Sequence, residues 1–245
     1  MSEWWDGIKA DFVLNFIKED RWMLLATGLG NTLKITFVAL IIGILLGSIV
    51  ATVRSTYDKN GADMSKRNKG GYVVLSIFNI ICKLYLTVIR GTPMVVQLLI
   101  MYFIIFASSK NGLMVAMIAF GINSGAYVAE IIRGGIMSID NGQFEAGRSL
   151  GFNYGQTMIY IIIPQVFKAV LPTLCNEFIV LLKETSVAGY IGIRDLTKGG
   201  DIIRAATYSP FMPLITVALI YLVMVVILSA LLGKLERRMA QSDRR

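Results

Sequence analysis

Apolar residues follow one another along this chain in long unbroken stretches, without the spacing of a half-buried helix or strand. Windows without a charged residue cover 35–53, 91–109, 111–129, 149–167 and 205–233. Each comes close to the ~20 residues with which a helix crosses the hydrocarbon core of a bilayer. The fourth window opens on a polar segment and its apolar character continues past Lys168, so we place that helix at roughly 157–183. The pattern predicts an all-α membrane protein with five transmembrane helices.

Lysine and arginine collect between the apolar stretches and predict the orientation. The loop 55–72 and the tail 234–245 are basic, and basic segments next to spans face the cytoplasm. With five spans the N-terminus then lies outside, the segment 131–156 is cytoplasmic and the segment 184–210 lies at the outer face. The loop 55–72 is rich in turn-forming residues and lacks an apolar period, which predicts a mobile connector.

The N-terminal residues 1–30 precede the first span and contain Trp4, Trp5 and Trp22. Tryptophan is enriched where a protein crosses from water to lipid, so this segment is interpreted as an amphipathic lead-in at the outer interface. Contact of the tryptophans with a partner protein is the alternative.

Composition supports a membrane protein and narrows the chemistry. The 245 residues are 55% hydrophobic and 16% charged, against about 25% charged in soluble domains. The net charge of +8 reflects topology and not nucleic-acid binding, because the basic residues lie between the spans. Cys82 and Cys175 have no CxxC spacing and the chain has no histidine, so neither a disulfide framework nor a metal site is expected.

No catalytic set stands out, so an enzyme is not expected. The chain lacks histidine, the commonest general base, and no serine or cysteine nucleophile has a base at hand. It also lacks a nucleotide-binding motif. If ATP drives transport, the ATPase must be a separate chain.

One cytoplasmic segment looks too structured for a plain connector. Asp140 to Gln143 offer the chemistry of a helix start, and the residues to Leu150 continue as a short amphipathic helix that Gly151 would end, unless the glycine serves a tight contact. A surface helix of no special role is the alternative. From Glu145 the sequence resembles the Glu-Ala-Ala loop of ABC importer permeases. The positions that match this motif are Glu145, Ala146, Gly151, Ile161 and Pro164, while Gly147 replaces the second alanine and Ile163 replaces a leucine.

Further segments resemble the polar amino-acid subfamily of these permeases. They are Gly30 to Leu33, Arg90 to Pro93 with Gln97-Leu98, Asn123 to Tyr127 with Ala129-Glu130, and Asn176 to Phe178 with Leu182 to Ser186. Two departures from the family are the long loop 55–72 and Glu184, where an aspartate is more usual.

The resemblance implies a type I ABC importer permease whose residues 1–245 form one transmembrane domain in a bacterial cytoplasmic (inner) membrane. The segment 133–156 would be the cytoplasmic coupling loop and 234–245 a cytoplasmic basic tail. The short helix would dock into ATP-binding ABC subunits, so that closure of those subunits moves the bundle. The ATPase-coupling residues would lie in the 143–164 loop, namely Glu145, Ala146, Gly147, Leu150, Gly151 and Pro164.

The other partners implied are a second permease subunit, identical or related, an extracellular or periplasmic solute-binding protein, an amino-acid substrate and the lipid bilayer, with no nucleic acid. No cofactor is expected in this chain, because ATP and Mg²⁺ would be bound by the ATPase.

Polar residues at membrane depth are candidates for substrate binding, because they are costly in lipid unless they face a cavity or a partner. Glu177 and Glu184 lie two helical turns apart and suit an ammonium group. The candidate substrate-binding residues are Gln97, Asn176, Glu177, Glu184, Thr185 and Ser186. The alternative role of Glu177 is an ion pair with Lys168 or Lys183. The alternative role of Gln97 is a hydrogen bond between helices. Glu130 and Arg133 are interpreted as a structural pair.

The sequence therefore predicts an ATP-driven importer of a polar amino acid. The pair Glu177 and Glu184 favours basic or cystine-like substrates. The alternative is an ion-coupled secondary transporter or channel, in which Glu177 and Glu184 bind protons or sodium. Five spans without an evident inverted repeat argue against it, and a membrane-embedded enzyme lacks the residues for catalysis.

Overall fold

The fold is helical throughout the part of the chain that the computed structural model describes, residues 2–242, with side chains from 4 to 237. Ten α-helices lie within this range, and it contains no strand. The helices are α1 (Ser2–Phe12), α2 (Trp22–Arg67), α3 (Lys69–Gly91), α4 (Met94–Ile100), α5 (Gly112–Ser138), α6 (Asn141–Ser149), α7 (Tyr154–Thr157), α8 (Ile163–Glu184), α9 (Leu196–Thr207) and α10 (Phe211–Ser242). Short 3-10 or π-helical turns occupy Val13–Ile17, Lys18–Asp20, Met101–Ile105, Met158–Ile162 and Thr185–Ile191.

The all-α class and the number of spans are confirmed, because five helical segments are long and apolar enough to cross a membrane. The candidate spans are Trp22–Arg67, Lys69–Gly91, Gly112–Ser138, Tyr154–Ile191 and Phe211–Arg237. The second differs from the predicted window 91–109, which corresponds to the shorter apolar helix Met94–Ile105. Pro93 explains the break, since it lacks an N–H and disfavours helical geometry at Thr92, whose ψ is 147°.

The prediction of a connector at 55–72 is wrong. Helix α2 runs on to Arg67 and α3 begins at Lys69, so that Asn68 alone interrupts the helices. The side chain of Asn68 caps α3 by accepting a hydrogen bond from Gly71 N at 2.9 Å. No proline occurs between 55 and 72, and the turn-forming residues there are individually tolerated in a helix.

The predicted fourth span at 157–183 is found as α7, a π-helical turn and α8, from Tyr154 to Glu184. The π-helical turn Met158–Ile162 ends two residues before Pro164, which has no N–H to continue the α-helical hydrogen bonds. Pro172 lies inside α8.

The chain divides into two compact units. The first contains the residues up to Ala39 together with Met94–Phe120 and Ile179–Leu231. The second contains Leu40–Pro93, Gly121–Phe178 and the chain after Leu231. A single functional domain over 1–245 stays a prediction.

Each unit has its own apolar core. The core of the first unit includes Phe16, Leu25, Leu196, Ile203 and Val217. One cluster of the second unit is Ile136, Phe144, Met158, Ile162, Val166 and Val170, and another is Val50, Cys82, Leu86, Ala126 and Ala129. Both cysteines are free thiols, Cys82 buried and Cys175 half-buried.

The N-terminal lead-in belongs to the first unit and is anchored by a buried amide. Asn15 is inaccessible to solvent; its Nδ2 donates to Asp11 O at 2.8 Å and to Ser209 Oγ at 3.2 Å. Its Oδ1 accepts from Thr207 Oγ1 at 2.8 Å. The rings of Trp4, Trp5 and Trp22 are exposed, as an interface-lying segment requires.

Candidate coupling and translocation sites

The predicted short cytoplasmic helix exists as α6 and lies in the second unit. It begins after Asp140, whose Oδ1 accepts a hydrogen bond from Gly142 N at 2.6 Å, as the sequence predicted. The chain leaves the helix at Gly151, whose φ of +80° lies in the left-handed region. Glycine adopts this conformation without a steric penalty, so both predicted ends of the helix are confirmed.

One face of α6 is buried. Phe144 is 6% exposed and packs in the cluster of Ile136, Met158 and Ile162. Gly147 is also buried, and a Cβ at this position would lie 2.6 Å from both Cγ2 and Oγ1 of Thr157. The glycine that replaces the second alanine of the motif therefore allows α6 to approach Thr157 closely.

The opposite face of α6 is open. Glu145 and Ala146 are exposed, and Leu150 at the helix end is 70% exposed. A single exposed leucine is ordinary on a protein surface. Here Leu150 is exposed together with Glu145 and Ala146 of the matched motif, on a helix whose other face is packed against the chain. Pro164 is also exposed, at the start of α8.

A second helix start stabilises the segment behind α6 and was missed in the sequence. Asn153 Oδ1 accepts from Gln156 N, and Gln156 Oε1 accepts from Asn153 N, both at 2.9 Å. This reciprocal pair is a capping box for α7. The signal was available, because an N-cap residue followed three positions later by Gln is its sequence pattern.

The six candidate substrate-binding residues are divided between the units. Gln97, Glu184, Thr185 and Ser186 belong to the first unit, and Asn176 and Glu177 to the second. In the first unit, α4, which carries Gln97, contacts the 3-10 segment Thr185–Ile191. Gln97 and Glu184 are half-buried. Gln97 is therefore on a helix that contacts the segment of Thr185 and Ser186.

Thr185 and Ser186 differ in their surroundings. Thr185 is inaccessible and its Oγ1 donates to Leu182 O at 2.7 Å, a bond within its own helical segment. Ser186 lines a cavity of about 320 Å³ with Tyr190, Thr197, Lys198 and Asp201. Lys198 Nζ and Asp201 Oδ2 are 3.0 Å apart, so this cavity contains groups of both charges.

In the second unit Glu177 is 9% exposed, and one of its oxygens, Oε1, accepts from Ser124 Oγ at 3.3 Å. Asn176, its neighbour, is exposed. Ser124 was not predicted as a partner, because nothing in a sequence places residues 53 positions apart in contact. A carboxylate this buried requires polar partners, since an isolated charge in an apolar environment is costly.

An ion-pair network joins three helices of the second unit. Arg133 NH2 lies 3.3 Å from Glu130 Oε2, which confirms the predicted structural pair. Arg133 NH1 also lies 3.0 Å from Asp58 Oδ2 on α2, and Arg90 NH1 lies 3.9 Å from Glu130 Oε1. The contact of Asp58 was not predicted, because the segment around Asp58 was interpreted as a loop.

Across the described residues, no group of three histidine, cysteine, aspartate or glutamate side chains could hold a metal ion. The described residues offer two candidate functional features. The first is α6 with its exposed face, and the second is the set of polar side chains on apolar helices.

The apolar spans define an integral membrane protein, and comparison with known proteins identifies its family. Residues 43–241 match the family described as binding-protein-dependent transport system inner membrane component. The match extends over most of the chain and includes α6 and Gly151. The chain belongs to this family. It is a multi-pass membrane protein of an ABC transporter, and it is a transport permease and not an enzyme.

Individual relatives are similar along nearly their whole length. The arginine transport system permease protein ArtQ of Bacillus subtilis (strain 168) is 38% identical over 220 residues, which are 88% of this chain and 92% of the relative. The glutamine transport system permease protein GlnP of Escherichia coli (strain K12) is 35% identical over 221 residues, 88% of this chain and 93% of the relative. The resemblance to amino-acid permeases is thereby confirmed.

Solved structures agree in fold. A chain from a crystal structure of an amino acid ABC transporter with histidines is 41% identical, with a TM-score of 0.77 over 91% of this chain and 98% of that one. A chain of the MetNI methionine ABC transporter in an inward-facing conformation is 18% identical, with a TM-score of 0.71 over 89% and 97% of the two chains. The second similarity concerns the fold alone.

Proposed function

We propose that this permease forms the translocation pathway of an ATP-driven importer for a polar amino acid, and that α6 is its contact with the ATPase. The observation that carries the proposal is the two-faced α6, with Phe144 and Gly147 buried and Glu145, Ala146 and Leu150 exposed. A helix held on one side by its own chain presents its other side to a partner.

Membership in the family of binding-protein-dependent transport components supports the proposed partners. Two ATP-binding subunits bind ATP and Mg²⁺, this chain pairs with a second permease subunit, and a solute-binding protein delivers the substrate from outside. The orientation has the N-terminus outside, and α6 and the basic tail in the cytoplasm. The basic residues between 54 and 69 and after 233 support it, because such residues accumulate on the cytoplasmic side.

A basic or cystine-like amino acid is the substrate that the site residues support best. Glu184 in the first unit and Glu177 in the second each carry a carboxylate that suits an ammonium group. Within their own units, Gln97 and Ser186 in the first and Asn176 in the second have polar groups for hydrogen bonds, while Thr185 stays a candidate although its Oγ1 donates to Leu182 O. Similar permeases are named for arginine and for glutamine transport, and both of these amino acids have polar side chains that donate N–H hydrogen bonds.

Uptake by proteoliposomes tests the proposal. The vesicles contain this chain with its candidate ATPase and binding protein, and labelled L-arginine, L-glutamine and L-cystine are offered with or without ATP inside. We expect ATP-dependent uptake of L-arginine or L-cystine. Uptake driven by an ion gradient through this chain alone would instead make it a secondary transporter, with Glu177 and Glu184 as ion-binding residues.

A bulky residue at Gly151 tests the role of α6 within the same assay. Gly151→Trp abolishes uptake and leaves membrane insertion intact, because it places a large side chain where the helix end approaches the ATPase. Uptake at the wild-type rate would contradict the assignment of this loop to the ATPase.

A further inference from the structure

The cytoplasmic end of α2 has a structural role that the family resemblance does not assign. Residues 54–67 continue α2 beyond its charge-free stretch by about 20 Å, at 1.5 Å per residue. This extension, here called the α2 brace, carries Arg54, Asp58, Lys59, Asp63, Lys66 and Arg67. Its charges exclude it from the hydrocarbon core.

The α2 brace is joined to α3 and forms a hairpin with it. The rings of Tyr57 and Tyr72 stack with their centroids 6.1 Å apart, and their hydroxyl oxygens are 3.5 Å apart. Asn68 turns the chain between the two helices and caps the second. The brace is thus tied to a second helix by its own side chains.

Two consecutive residues of the brace hold the corner between α5 and α6. Asp58 pairs with Arg133, five residues before the end of α5 at Ser138. Lys59 Nζ donates to Oδ1 of Asn141, the first residue of α6, at 2.7 Å, and it lies 5.0 Å from the centre of the Phe144 ring. The first contact fixes the helix that leads into the corner, and the second fixes the helix that leaves it.

The contact at Lys59 is well suited to control the direction of α6. Hydrogen bonding to Asn141 restrains the helix start, and the position above Phe144 adds a cation–π contact one turn later. Beyond Lys59 a cavity of about 490 Å³ separates the brace from α6 and α7, lined among others by Asn60, Asp63, Arg148 and Tyr154. The contacts of Lys59 therefore lie at the near end of α6, whereas the far half of the helix packs through Gly147 against Thr157.

We infer that Lys59 is a positioning residue that holds α6 at the angle from which movement of the ATPase is passed to α5. This inference rests on the proposed function. Rigid elements with fixed contacts transmit a displacement, whereas a helix attached by its buried face alone would yield to it. Without Lys59, ATP hydrolysis continues while less substrate is moved per ATP.

The test is the number of ATP molecules hydrolysed per substrate taken up, measured with the full complex in proteoliposomes and labelled L-arginine. Lys59→Met keeps most of the side-chain length and removes the charge and the donor. We expect the ratio to rise by about fivefold, the lower end of the usual range of coupling between sites, with the amount of copurifying ATPase unchanged. Lys59→Arg keeps the charge and should restore most of the coupling.

Lys66→Met is the matched control, because Lys66 is exposed on the same helix and should leave the ratio at its wild-type value. Asn141→Ala removes only the acceptor from an exposed position and should raise the ratio in the same direction, which keeps the test valid if Lys59→Met folds poorly. An unchanged ratio in a folded Lys59 variant and in Asn141→Ala overturns the inference. Absence of ATP-dependent uptake in the wild type would instead count against the proposed function.

Discussion

The turn before α9 and helix α6 are both short segments with polar residues, but they differ in how far their side chains are exposed. In the turn, Asp195 is inaccessible and accepts from Thr197 N at 3.0 Å and Lys198 N at 3.2 Å. Leu196 N donates to Thr32 Oγ1 at 3.1 Å. In α6, Glu145, Ala146 and Leu150 face outwards. The turn satisfies its groups within the first unit, whereas the outer face of α6 is exposed, as its proposed contact with the ATPase requires.

The difference separates residues that build the fold from residues that act with a partner. Substitutions in the inward-facing network should lower stability in the isolated chain. Substitutions on the outer face of α6 should leave the chain folded and affect only the assembled transporter. The following substitutions test this distinction between buried and exposed positions, in order of decreasing effect on stability.

The largest loss is expected at Asn15. Asn15→Ala leaves Ser209 Oγ without this donor and removes one of the two acceptors of Thr207 Oγ1, the other being Ile203 O. The loss of these bonds at a buried site costs about 1–3 kcal/mol. Thermal unfolding in detergent, followed by size-exclusion chromatography, measures the loss. Asn31→Ala is the control, since its half-buried amide makes one hydrogen bond to Arg194 O, and it should cost less. Equal losses would argue against the importance of burial.

A comparable effect is expected where α6 meets Thr157. Gly147→Ala places a methyl group 2.6 Å from the Thr157 side chain, and overpacking of this kind costs about 1–3 kcal/mol. Thr157→Ala in the same chain makes room and should return most of the stability, as read from the same thermal transition. If the double variant is as unstable as the single one, the close approach is not the cause.

Gly151 should have a smaller effect on stability. Alanine in its left-handed conformation costs about 1–2 kcal/mol, and asparagine costs less because it tolerates this conformation. Gly151→Ala should therefore melt below Gly151→Asn, with the wild type highest. A Cβ at Gly151 would meet nothing within 4 Å in this chain. If Gly151→Ala loses more uptake than its lower stability explains, the additional loss reflects contact with the partner.

The smallest effect concerns pH. Burial raises the pKa of Asp195, and the backbone hydrogen bonds from Thr197 and Lys198 oppose the shift. Because the folded chain then binds this proton more tightly than the unfolded chain, ionisation of Asp195 costs stability as pH rises from about 4 towards the raised pKa. Asp195→Asn should flatten this decline in melting curves recorded at several pH values. An identical pH dependence in both chains would contradict it.

The sequence predicted the helical class, the number of spans and both ends of α6, because these depend on local signals. Apolar length marks a span, Asp140 can cap a helix and Gly151 can end one. It failed at 55–72, where Asp58, Asn60, Gly61 and Gly70 suggested turns. Their conformation is instead determined by contacts such as Asp58 with Arg133 and Tyr57 with Tyr72, which lie 75 and 15 positions apart.

The candidate substrate site was predicted only as a set of residue types. Membrane depth identifies Glu177 and Glu184 as costly residues, but it does not reveal that Ser124 donates to Glu177. Likewise Gly147 was noted as a departure from the motif, while its reason, the proximity of Thr157, became visible only in the folded chain.

Labelling of a single cysteine tests most directly the claim that the outer face of α6 contacts the ATPase. Leu150→Cys is introduced with Cys82→Ala and Cys175→Ala, and its reaction with a membrane-impermeant maleimide is followed in inside-out vesicles with and without the ATPase. Tyr208→Cys, 92% exposed and predicted to face the outer side, is the control and should react only from that side. We predict that the ATPase protects the cysteine at 150. Equal labelling with and without the ATPase would contradict the account.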